Sequence, residues 1–159
     1  MTLHELKRRL DRFDLVQTVS ECVDETSDTM VDLNREQLLH GLDNEGNYLS
    51  PKYSEDPYFK SPESAKRYAE WKARIEPKRD KPFDVPNLFI TGRYHASIDA
   101  HVGPETFDIT SSDPNAGSIE RKFKKVYGLS AEYKSIYIDD HLFGRLKNKV
   151  TQRLGFKFG

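Results

Sequence analysis

"DVPNLFITGRYHASIDAHV", residues 84–102, is the stretch on which the fold turns. The apolar run Asn87–Ile90 has the make-up of a strand, and Thr91-Gly92 ends it. Gly92 supplies the backbone freedom for a sharp change of direction. The segment that follows, "YHASIDAHV", starts helical or extended on its own pattern, with Tyr94 and Ile98 four residues apart. It carries His95, Asp99 and His101. The same three residues are also the first chemical candidate, because imidazole and carboxylate suit zinc or iron. On a strand, positions 95, 99 and 101 fall on one side; on a helix, 95 and 99 share a face and 101 points away. The His-Glu-x-x-His pattern of helical zinc proteases is absent from the sequence. The expectation is therefore polar surface or interface residues, with no metal.

Downstream, "ETFDITSS" (105–112) alternates Phe107 and Ile109 with polar neighbours, as a half-buried strand does. "SDPNAG" is a turn by composition. Ser118 caps "SIERKFKKVYG" (118–128), with Ile119, Phe123 and Val126 or Tyr127 on one helix face and Gly128 at its end. A last helix from about Asp139 to Leu154 turns Leu142, Phe143, Leu146 and Val150 inward. Its acids come first and its bases last, an order that complements the helix dipole.

Upstream, Leu3, Leu6, Leu10, Phe13, Val16, Val19 and Val23 recur every three or four positions and form one apolar helical stripe. Thr2 with Glu5 makes a capping box. The stripe blurs at "DETSDT" (24–29), resumes at Met30, Leu33 and Leu38, and stops at Gly41. This predicts two helices, or one long helix with a weak middle. Gly41, Gly46, Pro51, Pro57 and Pro62 interrupt the next segment, and Tyr48, Tyr53, Tyr58 and Phe59 order that loop by laying their rings on something. A short helix, Ser64–Ile75, carries Ala65, Tyr68, Ala69, Trp71, Lys72 and Ile75 around its inner side, before the connector "EPKRDKPFDVP".

A chain of 159 residues fits one domain with an arm or tail. Its 36% apolar and 32% charged residues make a lean core, which suits long exposed segments or burial against partners. The net charge of −1 gives no global pull toward nucleic acid or an anionic membrane. The distribution is uneven: Met1–Leu33 holds eight acidic residues against four basic, and five basic residues with no acidic one follow Asp140. Such asymmetry suits head-to-tail contact between copies, or a basic end facing something anionic. Cys22 stands alone, so an intramolecular disulfide and a Cys-rich zinc site are excluded. No apolar run approaches the roughly 18 residues of a membrane span, and "MTLHELKRRLDRF" lacks the apolar core of a signal peptide. A soluble protein of reducing, cytosolic origin is expected.

The remaining chemical candidates are sparse. Asp139, Asp140 and His141 in "IDDHLF" could serve a metal-dependent enzyme together with His95 or His101. Adjacent carboxylates diverge, however, and acids opening a helix explain them. The sequence holds no phosphate-binding glycine loop and no Gly-x-Ser-x-Gly elbow. "RKFKK" (121–125) with Arg145, Lys147, Lys149 and Arg153 offers a basic surface for DNA phosphates, although Phe123 reads as core with lysines snorkelling around it.

The order "NREQLLHGLDNEGNYLSPKYSED…YAEWK…PNLFITGRYHASIDAHV…TFDITSSDPNAGSIERKFKKVYGLS" resembles a group of tailed-phage and prophage proteins from Bacteroidetes. The matching positions are Leu33–Ser54, Tyr68–Lys72, Leu88–Ile98 and Thr106 onward, and the first thirty residues lie outside the resemblance. The Thr-Gly-x-aromatic-x-x-Ser-Ile element (91–98) also resembles a signature of phage neck and tail-completion proteins, an α+β family that assembles as rings at the head–tail junction. The resemblance implies a ring-forming connector of the virion, with no catalytic residue, cofactor or metal to carry over. Those proteins commonly have a compact N-terminal helix; the longer helical sequence here implies an added interaction arm.

The expectation is an α+β fold, a small antiparallel sheet packed by helices with a long helical N-terminal arm. Residues 1–41 form the arm, 42–154 a connector-like domain and 155–159 a tail. The expected function is that of a neck subunit (head–tail connector or tail-completion), made in the bacterial host cytoplasm and located at the virion neck. It is expected to work as a homo-oligomeric ring against portal, adaptor or tail proteins, with non-specific contact to packaged DNA as a further partner and no membrane. Expected interface residues are Leu3, Leu6, Leu10, Phe13, Arg93 and His95, with Phe156 and Phe158 of "LGFKFG" inserting into a partner. The rivals are a DNA-binding accessory protein and a metal-dependent enzyme.

Overall fold

Thr2 and Glu5 open the first helix as their spacing requires. The Glu5 amide donates to the Thr2 hydroxyl (3.1 Å), and the Thr2 amide donates to the Glu5 carboxylate (2.7 Å). The computed structural model, which describes residues 1–155, gives α1 as Leu3–Asp11. The apolar stripe continues past Asp11, yet the helix stops there. Asp14 has an extended backbone, and its carboxylate accepts the Gln17 amide (2.9 Å), starting α2 (Leu15–Glu25). The polar tract at 24–29 produces only a joint. Thr26 separates α2 from α3 (Ser27–Leu39), its hydroxyl turned back on the Cys22 carbonyl (2.7 Å) and bonded to the Tyr137 hydroxyl (2.7 Å). Gly41 follows α3 at φ +72°. A Cβ there would lie 2.6 Å from Val85 Cγ1, so only glycine fits.

The aromatic loop is ordered by its rings. Tyr53 meets Phe59 and Tyr68 edge-on, and these rings pack with Ala65 and Ala69. Tyr48 and Tyr58 stay exposed. Helix α4 (Pro62–Ile75) begins two residues before the expected Ser64, because Ser61 caps it reciprocally with Ser64 and Pro62 takes the first position.

No strand forms at Asn87–Ile90, contrary to the expectation. The Asn87 side chain accepts the Phe89 amide (3.1 Å), bending the chain locally, and Leu88 takes a left-handed φ of 61°. Gly92, at φ +83°, then leads into the single turn α5 (Arg93–Ala96). Tyr94 and Ile98 are both buried, as their spacing suggested. The sheet is one antiparallel hairpin, β1 (Ile98–Val102) with β2 (Phe107–Ser111), Ala100 facing Ile109. Ile109 is buried, but Phe107, opposite Val102 beside the hairpin's turn, is exposed.

Helix α6 (Ala116–Phe123) ends where Lys124 and Lys125 take positive φ, so Val126 is buried from a loop and not from a helix face. Helix α7 (Ala131–Ile136), a π-helical turn (Tyr137–Leu142) and α8 (Phe143–Leu154) form one continuous course, starting well before Asp139. The wider π turn shifts the helical phase, and Phe143, expected inward, is exposed.

The result is an α+β fold. Its core joins Val23, Met30, Val31 and Leu38 to Tyr94, Ile98, Ile109, Val126 and Tyr137. The N-terminal stretch is helical, as expected, but α2 and α3 pack on the hairpin, so packing runs across residue 41. Helix α1, with no buried residue among those described, rests on α8. Two fully buried amides of α3 hold the segment after α6. Asn34 donates to the Val126 carbonyl and accepts the Gly128 amide (both 3.0 Å). Gln37 donates to the Gly128 carbonyl (3.0 Å) and accepts the Ser130 amide (2.8 Å).

Candidate functional site

Helix α1 keeps its apolar residues at the surface. Leu3 is 86% exposed and Leu10 50%, Leu6 and Phe13 are half-buried, and no α1 residue is buried among the described residues. Its polar side is organised locally, Lys7 pairing with Asp11 (2.8 Å) one turn on. The apolar stripe runs on to Leu15 and Val16, each 54% exposed. Leu15, Val16, Val19 and Val23 of α2, with Val102 and Phe107 of the hairpin, line a groove of about 340 Å³. The Ser20 hydroxyl donates to the Gly103 carbonyl (2.8 Å) and fastens the hairpin turn to α2, which fixes the groove's walls. Acidic side chains (Asp14, Glu21, Asp24 and Glu105) edge the adjoining hollow.

Opposite charge at the two ends of the sequence meets within the chain. Glu21 and Glu25 of α2 pair with Arg145, Lys149 and Arg153 of α8, and Arg145 lies 2.9 Å from Glu25. These bases hold both carboxyls below the usual carboxylate range. Arg153 also donates to the Thr18 hydroxyl (2.6 Å). Part of this asymmetry is thus satisfied within the chain, by helices that the fold brings side by side. Lys122 and Lys125 likewise pair with Asp56 and Glu45.

Of the central candidates, Arg93 is exposed at the start of α5, but His95 is buried, which removes it as an interface residue. The single turn after Gly92 directs its ring inward, where its Nε2 bonds the Asn87 carbonyl (2.9 Å). Asp99 and His101 lie exposed on β1, apart from His95. Asp139, Asp140 and His141 are exposed on the π turn, Asp139 accepting from Ser135 (3.0 Å). Among the described residues no three His, Cys, Asp or Glu side chains come together as a metal site, and no helix is long and apolar enough to cross a membrane. Phe156 and Phe158 lie outside the described residues.

A second feature is a buried polar cluster that the residue pattern showed only in part, through Lys72 falling on the inner side of α4. Lys72 is 2% exposed and donates to Asn87 Oδ1 (3.1 Å), with Glu76 at 3.6 Å; Lys81 reaches the same Glu76 at 3.0 Å. Burial pushes the Lys72 amine down to about 8. Burial also lowers His95, helped by the positive charges of Lys72 and Arg35. Beside this cluster Tyr53, Phe59, Tyr68 and Phe123 wall a hollow of about 320 Å³. His95 Nδ1, Asn87 Nδ2 and Glu76 Oε2 have no hydrogen-bond partner among the described residues. The cluster links α4 to the segment leading into α5 through Asn87, which meets both Lys72 and His95.

The lowered His95 gives a pH prediction. Between its ordinary value of 6.5 and its lower folded value, the unfolded chain binds a proton that the folded chain refuses. Its contribution to stability is therefore whole above pH 6.5 and is lost as pH falls through that window. His95→Gln should flatten the acid limb of a urea-midpoint series below about pH 6.5, and an unchanged limb would refute this.

The chain matches no protein-family model, no curated protein and no solved structure.

Proposed function

We propose that this chain is a structural virion protein of a tailed bacteriophage, a ring-forming neck subunit of the head–tail connector or tail-completion kind. The sequence resemblance over residues 33–128 supports the class. The observation that carries self-assembly is the apolar strip along α1 and the start of α2, where Leu3, Leu10, Leu15 and Val16 are each at least half exposed. Exposed apolar side chains repeated along one segment mark an interaction site. A helix with no buried residue gains little from its own fold, and a neighbour completes it. In this reading α1 is the added interaction arm, the portal, adaptor or tail proteins are the outer partners, and the virion neck is the location. The DNA-binding alternative has less support, because Arg145, Lys149 and Arg153 are engaged by Glu21 and Glu25.

Light-scattering masses and electron micrographs test the proposal. The expected result is a concentration-dependent oligomer with ring-shaped particles. Leu3→Glu with Leu10→Glu should weaken assembly at least about tenfold while leaving the helical circular dichroism unchanged. A monomeric mass at every concentration overturns the proposal.

A further inference from the structure

Resting on the self-assembly proposed above, we infer that the α2–hairpin groove receives the Phe156-Lys157-Phe158 segment of a neighbouring copy. The groove is walled by Leu15, Val16, Val19, Val23, Val102 and Phe107. The hollow that continues it shares Val16 and Val102 and is edged by Asp14, Asp24 and Glu105, none of which forms an ion pair among the described residues. An apolar trough with an acidic edge selects a segment that alternates rings with a base, and residues 156–158 read Phe-Lys-Phe.

The donor is a second copy because of where α8 ends. Gly155, beside Arg9, follows a helix that grips the Thr18, Glu21 and Glu25 side of α2. At 100° per residue, Val16, Val19 and Val23 lie on the other side of that helix. The helix between is about 10 Å thick. A segment leaving Gly155 has to turn round α2 to enter its own groove, whereas a neighbour's segment enters from solvent. A groove and a donor segment on different sides of one chain make a heterologous contact, the kind that closes into rings.

The test uses full-length chains and sedimentation velocity. A tail variant, Phe156→Ala with Phe158→Ala, and a groove variant, Val16→Asp, should each weaken self-association at least tenfold with unchanged circular dichroism. Mixed together, they should recover a defined heterodimer, since one chain keeps its groove and the other its tail. Lys157→Glu should weaken assembly, and adding Asp24→Lys with Glu105→Lys should restore it. If both variants assemble like the unaltered chain, the groove–tail contact is wrong while the assembly proposal stands. Variants that stay monomeric, singly and mixed, overturn exchange between copies. An unaltered chain that is itself monomeric overturns both readings.

Discussion

Asn34→Leu should destabilise the chain by about 3–5 kcal/mol, on the order of a third of a typical domain's total stability. Leucine has the same four-atom branched skeleton as asparagine and leaves no void, so the expected loss is not a cavity effect. The amide group is fully buried on α3, donating to the Val126 carbonyl and accepting the Gly128 amide at 3.0 Å each. Leucine would leave two backbone groups without partners in a site closed to water, at about 1–3 kcal/mol for each. Gln37 makes the matching pair of bonds one turn on, to the Gly128 carbonyl and the Ser130 amide, so Gly128 is held on both sides. Gln37→Leu should therefore cost a similar amount. The double variant should cost clearly less than the sum, because a segment freed by the first change has little left to lose from the second. Urea denaturation of the four chains reads this directly. A loss below about 1 kcal/mol for Asn34→Leu would show that water reaches the segment and replaces the amide.

These two residues also show what the sequence could not reveal. Asn34 and Gln37 carry polar groups, and period and polarity rules assign such positions to solvent; only the path of residues 126–130 over α3 makes them core. Where the deciding interaction is local, the sequence was readable. Thr2 with Glu5 caps α1, Tyr94 and Ile98 return to the core, and the alternation around Ile109 gives β2. Reading failed where a side chain competed with the backbone pattern. Asn87 captures its neighbour's amide and prevents a strand at 87–90, and Asp14 ends a stripe whose periodicity carries on. It failed again where phase was lost, as at Phe143 beyond the π turn. The candidate surface was legible as an amphipathic pattern in Leu3, Leu6, Leu10 and Phe13. Its exposure was not, because an apolar stripe covered by its own chain looks the same in sequence as one left for a partner. His95 shows the converse, a polar residue whose burial depends on the single turn after Gly92.

Lys72→Met is expected to make the protein more stable at neutral pH, by about 1–3 kcal/mol. Lys72 is almost wholly enclosed, and its amine has fallen from 10.5 to about 8 because burial disfavours the ammonium more than Glu76 favours it. That fall corresponds to about 3 kcal/mol of charge burial borne by the folded state below pH 8. From pH 8 to 10.5 the folded chain has released a proton that the unfolded chain still holds, so the wild-type chain gains stability as pH rises through this window. Methionine keeps the unbranched stem beside the aromatic wall and carries no charge to bury. The groups left behind keep partners: Glu76 retains Lys81 at 3.0 Å, and Asn87 Oδ1 still accepts the Phe89 amide at 3.1 Å. The advantage of Lys72→Met should accordingly be largest near pH 7 and shrink toward pH 10, where the wild-type amine is neutral. Unfolding midpoints at pH 7, 8, 9 and 10 for both chains separate this from the ordinary case. A variant less stable by the same amount at every pH would mean that Lys72 acts through its contact with Asn87, and that its charge is satisfied inside the fold by Glu76.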